Sequence, residues 1–247
     1  MRETRLIMGM PITIEIVGDA DGHVAESAFR HFFDVDARFS PYKPESELSA
    51  MNRGEIPSDA VSPQMKEILG LAVLTQHETR GYFDIRRPDG RVDPSGIVKG
   101  WAIRNAARLI DAADHHNYCV EAGGDLQCRG HNAQDEPWRV GIRNPFEQTE
   151  IVKVLTPGDC GVATSGAYVR GSHIYDPHTS GAASDDIASI TVIGPDVYEA
   201  DRFATAAFAM GRDGIAFIET MPGLEGYAID RDGVATMSSG FSRIASS

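Results

Sequence analysis

The chain has 247 residues, of which 42% are hydrophobic and 24% charged, as in an ordinary globular protein with a sizeable core. Its 36 acidic and 23 basic residues give a formal net charge of −13. Because nucleic acids and anionic membranes attract basic surfaces, this charge argues against both as general partners. No apolar stretch approaches the roughly 20 residues that a membrane-spanning helix needs, so we expect no transmembrane segment.

The first residues of the chain and its cysteines indicate where the protein resides and which kinds of site it lacks. Residues 1–7 lack the apolar core and the small-residue cleavage site of a secretory leader, so we expect a cytoplasmic protein. The three cysteines, Cys119, Cys128 and Cys160, form no Cys-x-x-Cys pair. Their number and spacing indicate neither a disulfide framework nor a zinc site, and we interpret them as small buried hydrophobic residues.

The N-terminal part of the chain begins with an alternating segment and continues with a helical one. Residues 11–17 alternate apolar and polar side chains, as a half-buried strand does. Residues 24–39 carry apolar side chains at helical spacing, and we predict that Phe29 and Phe33 belong to the core face of this helix. Residues 40–52 are predicted to form a loop with two prolines that runs into a short helix.

Further helices and a set of short strands follow. Ser62-Pro63 is a capping residue followed by proline, which starts a helix, and Gly81 stands where that helix should end. Helices and strands then mix without a regular βαβ alternation, which predicts the α+β class. No repeat or linker interrupts the chain, so we predict one domain over residues 1–247. The other predicted elements are helices over 96–113, after Asp196 and after Asp213, and strands at 118–120, 126–129, 139–142, 151–155, 189–193, 227–230 and 234–237.

Residues 93–100 contain the densest set of candidate functional groups, at the start of a predicted helix. Gly96 and Gly100 lack a Cβ, so the backbone can approach a ligand closely. Lys99 is a point charge suited to phosphate, and the amides of the first helical turn favour anions. Asp93 can accept hydrogen bonds or help to bind a cation. Together these groups predict a site for a metal-bound phosphorylated ligand, although Pro-Ser-Gly before a helix is also typical of an ordinary capped turn.

A second candidate site lies in the helix that follows Asp196. Asp201 and Thr205 are four residues apart, so on a helix they project from one face. A carboxylate and a hydroxyl placed in this way can share a hard, oxygen-preferring cation such as Mg²⁺. An isolated pair of this kind is more often a surface Asp beside a core-facing Thr, and the spacing by itself leaves both interpretations open.

Taken in order, several segments resemble the ApbE family, the FAD:protein FMN transferases. The resemblance covers most of the chain, and the ordered set is far more specific than any one of its segments. It implies a single compact, two-layered, T-fold-like α+β unit with mixed helices and mostly antiparallel strands. The segments that carry it are Met8-Gly9-Met10-Pro11, residues 39–49, Asp93-Pro94-Ser95-Gly96, Glu121-Ala122-Gly123-Gly124-Asp125, Ala163-Thr164-Ser165-Gly166, His173-Ile174-Tyr175-Asp176-Pro177 and residues 199–206.

The resemblance also implies an activity. It implies Mg²⁺-dependent transfer of the FMN moiety of FAD to a Ser or Thr hydroxyl of an acceptor protein, with release of AMP. FAD is then a substrate and the acceptor a partner protein. The alternatives are a Mg²⁺-dependent FAD pyrophosphatase, in which water replaces the acceptor hydroxyl, a FAD-binding protein without turnover, and an interaction module without flavin. Ser165-Gly166-Ala167-Tyr168 has Tyr where the family's acceptor pattern has a hydroxyl acceptor, so self-modification is not indicated.

By the same resemblance, particular residues are assigned to the metal and the flavin. Asp201 and Thr205 would bind Mg²⁺ together with an oxygen of Gly96, which can only be its backbone carbonyl. Tyr42 offers a ring for stacking on a flat heterocycle, although a loop residue packed on its own prolines is as good an account of it. The residues that the resemblance places at FAD are Met8, Tyr42, Tyr82, Phe83, Asp84, Asp93, Lys99, Gly123, Gly124, Asp125 and Ile174.

Two more of these assignments have ordinary structural alternatives, and His173 is a candidate catalytic residue with two possible roles. Phe83 also fits the core, and Gly123-Gly124 also fits a tight turn between strands. His173 titrates near neutrality and could take the proton of an attacking hydroxyl, or it could only hydrogen-bond the ligand. The sequence departs from the family pattern at 176–181, which has one residue more than Asp-Pro-x-Thr-Gly, and after Phe83, where a short loop leads us to expect a more open flavin pocket.

Overall fold

The computed structural model of the chain describes residues 1–19, 22–147, 149–166, 175–176, 181–182 and 186–245. Its strands are β1 (Arg2–Ile7), β2 (Met10–Ile16), β3 (Tyr118–Ala122), β4 (Asp125–Arg129), β5 (Val140–Arg143), β6 (Ile151–Leu155), β7 (Gly161–Gly166), β8 (Tyr175–Asp176), β9 (Gly181–Ala182), β10 (Ile187–Gly194), β11 (Glu225–Asp230) and β12 (Ala235–Met237). Its helices are α1 (His23–Phe39), α2 (Glu47–Asn52), α3 (Pro63–Glu78), α4 (Ser95–Ala112), α5 (Val197–Ala209) and α6 (Gly214–Glu219), with 3-10 turns at Gly211–Asp213 and Phe241–Arg243.

The strands follow one another across the central sheet in chain order. Within the described ranges, eight of them form an antiparallel sheet in the order β1-β2-β3-β4-β7-β10-β11-β12, while β5–β6 and β8–β9 are separate pairs. Because successive strand residues face opposite sides, Ala163 packs with α5 and α6, and its neighbour Val162 packs with the β5–β6 pair. Helices α1, α4 and α5 thus cover one face of the sheet. The α+β class and the mostly antiparallel pairing are confirmed.

Helix starts are set by the side chains that the sequence indicates. Ser62 accepts a hydrogen bond from the amide of Met65 at 3.2 Å and starts α3, and Asp196 accepts one from the amide of Glu199 at 3.0 Å and starts α5. Each of these bonds satisfies an amide of the first turn that has no partner within the helix. Gly81, at φ +86°, donates its amide to a carbonyl of the last turn of α3, which confirms its predicted role at the end of that helix.

One prediction about the core is wrong, and two strands of the central sheet, β1 and β7, were not predicted. Phe29 is fully buried, but Phe33 is 49% exposed, because α1 turns only one face toward the sheet and Phe33 lies beside that face. Strand β1 lies at the sheet edge, where most of its residues stay partly in solvent and the chain needs no apolar alternation. Strand β7 consists mainly of small residues, and its place between β4 and β10 decides its conformation.

No helix in the described part of the chain combines the length and the apolar character that crossing a membrane requires.

Candidate active site

Helices α4 and α5 pack closely at Gly100, which has no side chain, and the candidate site lies at this contact. A Cβ added at Gly100 would lie 2.7 Å from the Cβ of Asp201 and 2.8 Å from the carbonyl oxygen of Val197. The absence of a side chain at Gly100 therefore lets the carboxylate of Asp201 reach the α4 backbone, where its Oδ2 accepts a hydrogen bond from the Gly100 amide at 2.7 Å. One turn earlier, a Cβ at Gly96 would lie 3.6 Å from the hydroxyl oxygen of Thr205.

Three charged side chains from different elements converge next to this contact. The ammonium of Lys99 on α4 lies 2.5 Å from Oδ2 of Asp125, at the start of β4, and 3.6 Å from Oδ1 of Asp201 on α5. Asp125 is 1% exposed and Asp201 is 3% exposed, so both carboxylates are removed from solvent. The other oxygen of Asp125 accepts a hydrogen bond from the amide of Thr164 on β7 at 3.0 Å. We call Lys99, Asp125 and Asp201 the buried charge cluster.

The electrostatics of the cluster favour an additional cation. Two carboxylates and one ammonium leave it with one excess negative charge. Burial raises the pKa of the Asp201 carboxyl to about 7, the Lys99 ammonium opposes this rise, and the Asp125 carboxylate adds to it. An unneutralised buried charge is costly. A positive ion or further hydrogen-bond donors would therefore stabilise the ionised form of Asp201.

Two tight hairpin turns lie side by side where the strands β1 to β4 end. Met8 and Gly9 join β1 to β2 with φ of 56° and 72°, and Gly123 and Gly124 join β3 to β4 with φ of 60° and 98°. Positive φ at both central residues is the geometry of a two-residue hairpin turn. A Cβ at Gly123 would lie 2.9 Å from the sulfur of Met10, so the two turns pack closely. The predicted tight turn at Gly123-Gly124 is confirmed.

A cavity of about 430 Å³ opens beside the cluster and the first of these turns. Met8, Tyr42 and Lys99, three of the predicted flavin contacts, line it together. Tyr42 is 91% exposed, so its ring stands in solvent and is not packed on the neighbouring prolines. Lys43 and Asp36 form an ion pair on the wall, with 2.6 Å between the ammonium and a carboxylate oxygen. The cavity thus offers an aromatic ring, an ammonium and apolar side chains to one ligand.

Two predicted residues lie at the start of α4. Phe83 is buried and would contact a Cβ at Gly96 at 3.3 Å, so it is both a core residue and a wall of the α4–α5 contact. One oxygen of Asp93 accepts bonds from the amide and hydroxyl of Ser95, at 3.2 and 2.6 Å, and the other lies 3.2 Å from Arg87. Asp93 therefore fixes the first turn of α4.

The remaining predicted residues are further from the cluster or outside the described ranges. Asp84 accepts hydrogen bonds from the Gln76 side chain at 2.9 Å and from the Arg86 amide at 2.8 Å, which orders the loop after α3. Tyr82 is partly buried against the apolar cluster under α1 and α4. His173 and Ile174 lie outside the described residues.

The metal assignment can be tested against the donors present. Among the described residues, no group of three or more His, Cys, Asp and Glu side chains is placed to bind a metal ion. A cation here would instead be bound by the Asp201 carboxylate, the Thr205 hydroxyl and the backbone at Gly96, which lie on the facing sides of α4 and α5. These are oxygen donors, the kind that Mg²⁺ prefers, so the residues fit the ion.

The sequence missed the connection between Asp125 and the two helices. Its glycine-rich turn was predicted, but the turn itself does not indicate that the carboxylate after it would meet Lys99. The sequence also missed that Cys119 and Cys128 lie opposite each other on β3 and β4. A signal for this pair was present, because the two cysteines are equally far from the Gly123-Gly124 turn.

Comparison with known protein families shows to which family the chain belongs. The ApbE family profile matches residues 8–87 and 85–228, which is most of the chain. The chain belongs to the ApbE family. A curated relative, the FAD:protein FMN transferase of Vibrio cholerae, is 34% identical over 174 residues, covering 66% of this chain and 52% of the relative. The Escherichia coli protein of the same name is 33% identical over 190 residues, covering 72% of this chain and 54% of the relative.

Solved structures of the ApbE family share the whole architecture. The flavin transferase ApbE from Vibrio cholerae superposes with a TM-score of 0.85 at 27% identity, over 99% of this chain and 98% of that one. This likeness confirms the predicted ApbE-like fold. The matched region of this chain nevertheless spans about half the length of the curated relatives above.

Proposed function

We propose that this ApbE-family protein transfers the FMN moiety of FAD to a Ser or Thr hydroxyl of an acceptor protein and releases AMP. The observation that carries the proposal is the buried charge cluster beside the cavity that Met8, Tyr42 and Lys99 line. A buried ammonium next to two carboxylates suits a pyrophosphate bound together with a divalent cation. The names of the curated relatives, which are FAD:protein FMN transferases, support the same activity.

Mg²⁺ would be held by Asp201, Thr205 and the backbone carbonyl of Gly96. When bound, the ion supplies neutralisation of the charge that develops on the phosphoryl oxygens. Lys99 contributes a fixed positive charge 3.6 Å from Oδ1 of Asp201. Because Asp201 and Asp125 are almost fully buried, these charges act where water screens them weakly.

The chain's other residues bind and orient the substrate. Ser95 and Lys99, near the start of α4, line the cavity, and the positive end of a helix attracts phosphate oxygens. The exposed ring of Tyr42 provides a stacking surface for the isoalloxazine, and Met8 an apolar contact. No nucleophile of this chain is required, since the acceptor provides the attacking hydroxyl and phosphoryl transfer depends mainly on in-line positioning. We assign His173 to the proton of that hydroxyl, as a general base.

The test is a parallel incubation of the purified chain with FAD and Mg²⁺. One arm contains an acceptor with the family's Ser/Thr-Gly-Ala-Ser/Thr pattern, a second contains the same acceptor with its terminal Ser/Thr changed to Ala or Val, and a third contains no protein acceptor. We expect the intact mass of the first acceptor to increase by one FMN residue, with AMP in equal amount. Prompt FMN and AMP in all three arms without a change in acceptor mass would establish the pyrophosphatase instead. Intact FAD in all three would indicate binding without turnover.

A further inference from the structure

Two of the three cysteines lie directly opposite each other on neighbouring strands. Cys119 on β3 pairs with Cys128 on β4, nine positions further along the chain, and their sulfur atoms are 3.0 Å apart. Both belong to the sheet face turned away from α4 and α5, where Cys128 is fully buried and Cys119 packs at the margin of the same apolar cluster.

The register of the hairpin makes this position suitable for a covalent link. The Gly123-Gly124 turn places Ala122 opposite Asp125 as the pair that closes the turn, and opposed pairs then alternate between hydrogen-bonded and non-hydrogen-bonded. Counting outward, Cys119 and Cys128 form a non-hydrogen-bonded pair. The Cα atoms of such pairs lie about 4.5 Å apart with their side chains close together, which is within the span of a disulfide at about 4.4–6.8 Å.

The backbone of Cys128 supports this count. Its amide donates to the carbonyl of Cys160 at 3.1 Å, on the side of β4 away from β3. Cys160 is therefore a close neighbour of Cys128 through the backbone. The thiol of Cys128 donates a hydrogen bond to the sulfur of Cys119, and Cys160 adds a third free thiol nearby.

We propose that Cys119 and Cys128 form a reversible cross-strand disulfide that responds to the thiol–disulfide balance of the surroundings. The two side chains need to move little to form the bond, because their sulfur atoms are already in contact. The bond would close the base of the hairpin whose turn is Gly123-Gly124 and whose second strand begins with Asp125 of the buried charge cluster. The proposal concerns the thiols alone and does not depend on flavin transfer.

The chemistry is a two-step exchange with a small-molecule disulfide as oxidant. Cys119, the half-buried thiol of the pair, attacks as the thiolate, forms a mixed disulfide with one half of the oxidant and releases the other half as a thiol. Cys128 then loses its proton and attacks the Cys119 sulfur, and the second half of the oxidant leaves as a thiol. In total, two protein thiols lose two protons and two electrons, and one oxidant disulfide becomes two thiols.

The environment makes Cys119 the first thiol to react. The hydrogen bond to Cys119 and burial together raise the pKa of the Cys128 thiol, so Cys128 stays protonated in the reduced protein. Because the thiolate is the reactive form, Cys128 reacts slowly with an oxidant from solution. It reacts instead with the adjacent sulfur of Cys119 once that residue carries the mixed disulfide.

The experiment equilibrates the reduced full-length chain with glutathione buffers of increasing oxidised fraction. Free thiols are then alkylated in denaturant and the chain is digested with trypsin. Arg108 and Arg129 flank a single tryptic peptide that contains both Cys119 and Cys128, whereas Cys160 falls in another peptide. We expect the 109–129 peptide to become lighter by two hydrogen atoms and unalkylated, while Cys160 remains alkylated. The midpoint of thermal unfolding should rise by about 5 °C on oxidation, since the bond closes a short loop.

Variants provide the matched controls. Cys160→Ser should retain both the mass change and the thermal shift, and Cys119→Ser should lose both. Full alkylation of all three cysteines in the most oxidising buffer would overturn the proposal. So would a bond that joins the 109–129 peptide to the peptide of Cys160, or a glutathione adduct that persists on Cys119. The peptide map of the wild-type chain decides the outcome even if a serine variant fails to fold.

Discussion

Asp201 and Arg202 are adjacent on α5 and both are buried, but the structure surrounds them differently. The guanidinium of Arg202 contacts Glu78, bonds to Glu199 at 2.6 and 3.0 Å and to Thr75 at 3.2 Å, and stacks 4.0 Å from the centre of the Phe203 ring. The carboxylate of Asp201 shares one ammonium with a second carboxylate.

The difference fits the roles that we propose, a structural charge at Arg202 and a metal-binding charge at Asp201. Each nitrogen of the Arg202 guanidinium donates to an acceptor supplied by the protein, so the charge is paired without a ligand. The buried charge cluster of Asp201 keeps an excess negative charge, and its burial raises the pKa of Asp201 to about 7. Perturbed carboxyl groups beside a cavity are typical of functional sites. Changes at the two positions should therefore affect different properties of the protein.

The largest expected effect is on catalysis, in Asp201→Asn. Asn keeps the size of the side chain and an oxygen for the Gly100 amide but removes the negative charge. The rate of FMN transfer at limiting Mg²⁺ should fall about 10²-fold or more. The midpoint of thermal unfolding should stay the same or rise, since one of two buried carboxylates no longer needs a counter-charge. Full activity in this variant would remove Asp201 from the metal site, and a strongly lowered midpoint would make it a structural residue.

At the neighbouring position the effect should appear in stability. Arg202→Leu removes a cation that is 6% exposed and leaves its two acidic partners, each about a third exposed, without it. Because those partners can regain water, we expect a loss of about 2–3 kcal/mol in the free energy of unfolding, below the range for a fully buried pair. Denaturant unfolding measures this loss, and flavin transfer by the folded variant should be retained.

The control for Arg202→Leu is Arg212→Leu, an exposed arginine in the 3-10 turn after α5. Its free energy of unfolding should change by less than about 0.5 kcal/mol. If the two variants lose the same stability, the hydrogen bonds around Arg202 contribute nothing beyond a surface arginine. If Arg202→Leu also loses flavin transfer at a temperature where it is folded, the separation between the two positions fails.

The contact that positions Asp201 can be tested with alanine. A Cβ at Gly100 would overlap backbone of α5, at 2.8 Å from the carbonyl oxygen of Val197. Gly100→Ala should therefore cost about 1–3 kcal/mol in unfolding free energy and lower flavin transfer by moving α4 away from Asp201. Gly70→Ala is the matched control, since Gly70 is exposed on α3 and its Cβ would meet nothing within 4 Å. That change should raise stability by about 0.5–1 kcal/mol. Equal effects of the two substitutions would exclude a tight contact at Gly100.

The smallest effect concerns His31, a partly buried titratable side chain outside the buried charge cluster. Burial lowers the pKa of His31. The hydrogen bond between its ring nitrogen and the Ala102 carbonyl oxygen, at 3.2 Å, and the nearby Asp34 only partly oppose this lowering. Below the unfolded-state pKa of about 6.5, His31 binds more protons in the unfolded chain than in the folded one. The free energy of unfolding therefore decreases as the pH falls through that value. Thermal unfolding of the wild type and His31→Gln between pH 5 and 8 measures it. The pH dependence should be shallower in the variant, and identical slopes would contradict the assignment.

The sequence determined the local structure and the chemistry that the chain carries. Helix boundaries followed from short signals such as Ser62-Pro63 and the Asp196 cap, because capping and apolar periodicity act within a few residues. The order of motifs from Met8 to Thr205 indicated the ApbE family, and the family profile confirmed it. Asp201 and Thr205 were predicted to share a helix face from their spacing alone, and both lie on α5.

Only the tertiary structure decided which of these groups meet. The Gly100 amide and the Asp201 carboxylate are 101 positions apart in the chain, and Asp125 joins them only because β4 lies beneath α4 and α5. Packing of whole elements also decides that Phe33 is exposed to solvent and that Cys119 contacts Cys128. The physical reason is that local signals fix backbone conformation over one or two turns, whereas a contact between distant segments depends on how whole elements fill space against each other.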